Sequence, residues 1–397
     1  MAERLFHTDY PIYSLCQVEP GKFVIGGGGG ASNCGIPNVV ELYSISVRGG
    51  EKRDTKNQGR YSASLLCRKE LDKEAMWHLE RHSTDSKLLT GSLNSKCVLM
   101  FLGNLPTTEI SEDGVPASLP VIEYKGEVGT GCGEDLRQKQ ARFSPKGDLL
   151  ATVSTENVVR LWTLPQLEPC GLLQGHTSEI TDIAFHPDGS KLVSIAEDNI
   201  IRIWLIDTFS ELFKVEWPVE GCKPGIKENC RNCRVITYLD KKAKLTRSIL
   251  ITTHNRAGIR QRGSTIVQWD LELGSVLRSI KAGVHPLCAL EVCQEAELIA
   301  VGNVEGQIRI YNTSSLRYLR GIQAHSVSIT SMQFLSLSTD NKKQPAELIL
   351  LTTSIDRTCC ATRCRFSDLK RWLYFFLLPL IFLILAYLFP YNFRYIF

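Results

Sequence analysis

The chain has 397 residues, with 46 basic and 42 acidic side chains and a net charge of +4. That length supplies core for one large or two ordinary domains, and so small a charge excess does not by itself argue for nucleic acid. The opening Met1-Ala2-Glu3-Arg4 lacks the long apolar run of a secretory signal, which predicts a cytosolic body, and fourteen scattered cysteines read as reduced, partly buried thiols.

Taken in chain order, the first unusual segment is Gly26-Gly27-Gly28-Gly29-Gly30-Ala31-Ser32-Asn33-Cys34-Gly35-Ile36-Pro37-Asn38. Five consecutive glycines weaken a strand; they suit close backbone approach or positive φ. Gly26-x-Gly28-x-x-Ala31 formally meets the loose dinucleotide pattern, but that pattern must open a helix, and Asn33, Gly35 and Pro37 break one. No Gly-Lys-Ser/Thr follows, which argues against a phosphate-gripping loop. Two readings remain. In one, the loop projects from the fold, Ser32, Asn33, Asn38 and freed carbonyls close around a cation of low charge density, and Ile36, fixed by Pro37, is an exposed apolar wedge. In the other, it is a glycine-rich hairpin with no partner.

The middle of the chain repeats. Phe143-Ser-Pro-Lys-Gly147 recurs as Phe185-His-Pro-Asp-Gly189, and Val159-Arg-Leu-Trp162 as Ile201-Arg-Ile-Trp204. Both offsets are 42 residues, the length of a WD-type blade, and each unit reads as short strands separated by Pro/Gly and acidic turns. Gly175-His176 has the place of the glycine-histidine pair that opens a blade, and Ala324-His325 echoes it; both histidines read as structural hydrogen-bonding residues. Trp269-Asp270 is the sole literal Trp-Asp pair, while 298–311 and 328–334 carry weaker copies. Tyr13–Ile45 and Ser64–Gly103 fit two further blades. The pattern predicts an all-β, seven-bladed WD40-type propeller whose chain ends meet in one blade, which removes exposed strand edges. The polar 104–136 stretch and the basic 223–263 stretch break the period and read as insertions or loops. Cys222 with Cys230-Cys233 invites a zinc reading that lacks a second pair.

At the C-terminus, Trp372 to Phe389 contains no charged residue. Eighteen residues rising about 1.5 Å each span roughly 27 Å, enough for a thin bilayer. Arg357, Arg363, Arg365, Lys370 and Arg371 precede this stretch and only Arg394 follows. The positive-inside rule then predicts a cytosolic propeller over 1–366, a basic juxtamembrane segment at 367–371, a transmembrane helix at 372–389 and a short luminal tail at 390–397. A buried core helix is the alternative, at odds with a surface that has no polar face. Cys359, Cys360 and Cys364, close to the anchor, read either as palmitoylation sites or as ordinary cysteines of the last blade.

A propeller, a terminal anchor and the string Gly-Gly-Gly-Gly-x-x-x-x-Gly-Ile-Pro-Asn together resemble the endoplasmic-reticulum exchange factors for the small GTPase that starts COPII coat assembly, the prolactin regulatory element-binding protein family. The resemblance covers nearly the whole chain. It implies guanine nucleotide exchange at the endoplasmic reticulum membrane, with Asn33, Gly35, Ile36, Pro37 and Asn38 contacting the GTPase. It also implies a potassium ion held in the loop, for which Gly26 to Gly30, Ser32 and Asn33 are the candidates. No covalent chemistry and no nucleic-acid partner is expected, and a membrane-tethered scaffold without exchange activity is the alternative.

Overall fold

The computed structural model describes residues 2–30, 35–48, 59–110, 116–129, 137–217, 228–240, 245–256, 263–337 and 347–364. They form seven four-stranded antiparallel sheets, and no described residue is helical. Six blades are consecutive: 12–71, 78–129, 138–174, 180–216, 228–283 and 287–323. The seventh takes three strands from 329–363 and its outer strand from the start of the chain, Ala2–His7, which pairs antiparallel with Thr358–Arg363. Both chain ends thus meet in one blade, as the repeat predicted.

The repeat shows directly in the turns and hydrogen bonds. Gly147 N–H donates to Ser144 C=O at 3.0 Å and Gly189 N–H to His186 C=O at 2.8 Å, closing the same turn 42 residues apart. His176 bridges Asp198 (3.0 Å) and Ser194 (2.7 Å), and Trp204 Nε1–H donates to the same Ser194 hydroxyl at 2.8 Å. His325 takes the equivalent place in blade 7, against Thr352 at 2.9 Å and Asp356 at 3.3 Å. Both histidines are buried, so burial and bridging account for them. The core is not one body but a series of apolar clusters between neighbouring sheets, such as Tyr10, Ile12, Phe23, Ile25, Leu335 and Ile349 between blades 1 and 7. Each sheet buries both faces against its neighbours, which ties ring closure to hydrophobic burial.

Three sequence expectations are corrected. The described residues of the 104–136 stretch are strand, not loop: Lys96–Ile110 and Pro116–Gly129 pair as the long outer hairpin of blade 2. Likewise Glu228–Asp240 and Leu245–Arg256 are the two inner strands of blade 5. In blade 5 polar residues hid Glu228–Asp240, because this innermost strand turns one row of side chains to the central channel and loses the apolar alternation that marks a strand. Ser64 belongs to the outer strand of blade 1, Tyr61–Leu71, not to blade 2.

Of the basic residues in 223–263, Lys223, Lys227, Lys241, Lys242 and Lys244 lie outside the described residues, whereas Arg234 lines the channel. Cys222 lies outside as well; Cys230 and Cys233 are buried in blade 5, where burial pushes both thiols up. Cys359, Cys360 and Cys364 are buried in blade 7, as ordinary cysteines of the final blade. Residues 365–397, with the predicted membrane segment, lie outside the described residues; among those described, no helix is long and apolar enough to cross a membrane.

Candidate functional site

Strand direction alternates within each blade, so two kinds of connection emerge on one face of the ring: the links between blades and the turns between second and third strands. The glycine segment is such a turn in blade 1, between Lys22–Gly27 and Asn38–Val47. Gly26 and Gly27 are strand residues paired with Val40 and Val39, and Gly26 C=O accepts from Ser14 Oγ at 3.3 Å. Gly27 is glycine for a steric reason. A Cβ there would lie 2.0 Å from the carbonyl oxygen of Pro11, in the link that crosses beneath the loop.

Asn38 holds the stem. Gly30 N–H donates to its Oδ1 at 2.9 Å, and its Nδ2–H donates to Gly30 C=O at 3.1 Å and to Asp72 C=O at 3.2 Å. The side-chain amide thereby acts as an extra peptide unit, pinning the loop to its own stem and to the link into blade 2. Gly28, at φ +145°, lies so close that a Cβ would meet Asn38 Oδ1 at 2.2 Å. Asn38 is buried, and its three bonds shape the loop. Ile36 is half-buried, not the free wedge expected from sequence, and packs against the core cluster between blades 1 and 7. Pro37 is half-buried and Gly35 exposed, while Ser32, Asn33 and Cys34 lie outside the described residues.

A buried carboxylate under the loop escaped the sequence reading. Glu41 accepts from the hydroxyls of Tyr10 (2.7 Å) and Tyr43 (2.8 Å) and from Arg68 at 3.1 Å, and Arg68 also reaches Asp9 at 3.3 Å. Burial first, and the Glu41 charge second, push both phenols far above their ordinary range, so they stay protonated and donate. The network fixes the Asp9–Pro11 link on which the glycine turn rests. The only sequence signal was one acidic residue in an apolar run, Val-Val-Glu-Leu-Tyr.

A second candidate is the central channel, a cavity of about 400 Å³. Charged side chains from successive innermost strands cross it: Glu80 with Arg142, Arg142 with Asp182 (3.4 Å), Asp182 with Arg234 (2.9 Å), Arg234 with Glu291 (3.8 Å) and Glu291 with Gln333 (3.0 Å). Burial pushes Glu291 up to about 7, against the opposing pull of Arg234 and Arg142. Along this chain the acids and bases satisfy one another, so the network reads as a cross-brace. The residues that could hold a cation are the oxygens of the loop beyond Gly27. They are neutral carbonyl and amide donors, which suit a weakly charged, oxygen-seeking ion.

Fold and turn together define a seven-bladed propeller of WD type bearing one glycine-built loop on its blade-1 rim. The family described as WD domain, G-beta repeat matches residues 167–204, the outer strand of blade 3 and most of blade 4. Across the chain there is similarity to the guanine nucleotide-exchange factor SEC12 of Mus musculus, 24% identical over 379 residues, and of Rattus norvegicus, 25% identical over 391 residues. In each case the match spans 89% of this chain and 89% of the relative. The resemblance carried by the glycine string and the repeats therefore extends over almost the entire length of these exchange factors.

Proposed function

We propose that this chain is a guanine nucleotide exchange factor for a small GTPase, and more specifically for the GTPase that starts the COPII coat at the endoplasmic reticulum. The observation that carries the reading is the 89% coverage, on both sides, with relatives named as guanine nucleotide-exchange factors. The geometry at the stem of the glycine turn is consistent with it: Asn38 holds Gly30 and the Glu41 network holds the link beneath, so little ordering is lost there on binding.

Exchange needs no covalent step. A small GTPase grips nucleotide through its phosphate loop, magnesium and switch segments. A partner that binds the nucleotide-free form more tightly than the loaded form lowers the barrier to GDP release, and by linkage incoming GTP weakens that partner's hold. In this reading the segment from Gly28 to Pro37 presses on a switch, with Ile36 supplying a half-buried apolar shoulder. The carbonyls beyond Gly27, with Ser32 and Asn33, hold a potassium ion. The uncharged stretch 372–389 tethers the ring to the endoplasmic reticulum membrane.

The test is release of fluorescent GDP from the COPII coat GTPase, with and without the full chain in detergent, for wild type and Ile36→Ala in potassium and in sodium buffer. Strong acceleration by wild type, weakened in the variant and in sodium, is the expected result. A folded wild-type chain that binds the GTPase without accelerating release, and without preferring its nucleotide-free form, would leave the tethered scaffold as the better description.

A further inference from the structure

The glycine loop and the end of the described chain lie on opposite faces of the ring. In every blade the third strand begins on the loop face and ends on the other, where the turns between first and second strands and between third and fourth strands gather. The third strand of blade 7, Thr358–Arg363, is the last in the described chain, so Cys364 leaves the ring on the face opposite the loop. Cys364 N–H donates to Leu348 C=O at 2.9 Å, near the start of the second strand, which pins that exit to the edge of the sheet.

The uncharged stretch begins close behind that exit. Only residues 365–371 separate Cys364 from Trp372, and fully extended they span at most about 28 Å between the two Cα atoms. Third strands of six residues make the ring about 20 Å high. A residue at the edge of the hydrocarbon lies a further ~5–8 Å beneath the headgroup surface. A ring turned with its glycine loop to the bilayer would need residues 365–371 to descend its whole height and then cross the headgroups. Those two distances alone exhaust the reach. The segment would also have to pass around Ala2–His7, which covers the outer side of Thr358–Arg363, and that detour exceeds it.

We infer that the face opposite the glycine loop is the ring's docking surface for a lipid bilayer, with Leu273 as its wedge among the headgroups. The inference rests on the reading of 372–389 as a membrane anchor. The apolar side chains on that face fit such an occupant. Leu273, in the turn after the third strand of blade 5, is 75% exposed, the most of any large apolar side chain among the described residues. Leu119 follows at 62%. It pairs with Leu105 where the blade-2 hairpin runs past Leu88↔Phe101, the last pair with its second strand, toward the same side. Exposure alone does not choose the face, since the loop face bears Val284 at 58%; the chain exit does. Charge does not hold the contact. Glu272, beside the wedge, is paired with Lys191 at 2.8 Å, and other turns of the face expose both signs, Lys146 with Asp148 and Arg317 with Glu297. One apolar wedge is a weak ligand by itself, but the short tether keeps it at high effective concentration beside the bilayer. The glycine loop is then held a ring's height above the headgroups and points away from them.

The experiment reconstitutes the full chain in phosphatidylcholine vesicles, with the photo-crosslinking residue benzoylphenylalanine in place of Leu273, Val284 or Leu212, one at a time. Each variant is first matched with wild type in melting temperature. Resistance to alkaline extraction from the vesicles then reads the anchor by itself. After illumination, phospholipid adducts are quantified by mass spectrometry. Position 273 is expected to give at least about fivefold more adduct than position 284 on the loop face or 212 on the circumference. A flexible Gly/Ser linker of about twenty residues inserted after Cys364 removes the limit on reach, and the ratio of 273 to 284 is expected to fall to within about twofold of unity. A ratio that the linker leaves unchanged overturns the tether as what holds the face. Equal adduct at 273 and 284 in the natural chain, or more at 284, overturns the docking face and leaves the anchor standing. A chain that alkaline treatment strips from the vesicles has no anchor, and the docking face falls with it. Release of GDP enters none of these readouts, so the result is independent of the exchange reading.

Discussion

Asn38 makes three hydrogen bonds across the neck of the glycine turn, to both backbone groups of Gly30 and to the carbonyl of Asp72. Asn38→Asp keeps the size and the acceptor but loses both donations and brings a charge against two carbonyl oxygens. Each bond to a buried partner is worth about 1 kcal/mol net, so the variant is expected to lose about 2 kcal/mol in denaturant titration. Its exchange rate should fall at least tenfold, because the loop is no longer held in shape. A variant that melts earlier yet exchanges at the wild-type rate would show that the stem does not position the loop. Ile36 illustrates the same point from the apolar side: its packing against the cluster between blades 1 and 7 means that the core beneath the loop aims it.

Among the elements, the strand Ala2–His7 matters out of proportion to its length. It covers the outer edge of Thr358–Arg363, and Glu3 accepts from the N–H groups of Arg60 and Tyr61 at 2.9 Å each, tying blade 7 to blade 1. Removing residues 2–7 leaves a strand edge unpaired and an apolar interface half open, a template for pairing with another chain. The expected outcome is a melting temperature lowered by about 10 °C or more and higher-order species in light scattering. A truncated chain that stayed monodisperse with an unchanged melt would mean that three strands suffice to close the ring. The blades differ in how openly they announce themselves. Blades 3 and 4 repeat Phe-x-Pro-x-Gly and Arg-x-Trp at 42 residues, so each strand lies where a template places it. Blade 5 spends its inner strand on Asn229, Arg231, Asn232 and Arg234, which reads as a loop until the channel it faces is known.

At the scale of the whole molecule, the channel network brings charges from blades 2 to 6 and a glutamine from blade 7 to one level of the ring. Glu291 is its titratable member near neutrality, raised from 4.5 to about 7 by burial, with Glu80 adding to the rise and Arg234 and Arg142 opposing it. A raised carboxyl means that the folded ring prefers the protonated form. Its contribution to stability is complete below about pH 4.5 and is lost as pH rises through 7. Glu291→Gln stays neutral throughout, so the variant should gain on wild type across that window. Because 16% of the Glu291 side chain remains open to the channel, the gain is expected to be on the order of 1–2 kcal/mol and not the full conversion of the shift. Equal melting of the two proteins from pH 5 to 8 would place the Glu291 charge outside the brace.

What the residues alone determined was local and periodic. A 42-residue repeat, its turn formers and its tryptophans sufficed for an all-β ring of seven blades with meeting ends, and five adjacent glycines sufficed to single out one turn. These survive in one dimension because strand alternation and tight turns are set by neighbours a few residues apart. The tertiary structure decided everything that depends on two distant segments touching. It took the pairing of Ala2–His7 with Thr358–Arg363 to define the last blade, and the crossing of Pro11 beneath Gly27 to explain why that position admits no side chain. Asn38 was legible as a loop residue but not as its clamp, since Gly30 and Asp72 converge on it only in the fold. Ile36 looked exposed because nothing in its neighbourhood along the chain shows that the cluster between blades 1 and 7 lies against it. Hydrophobic burial and hydrogen bonding are satisfied in space, and at these positions the partners are supplied by other strands of the ring.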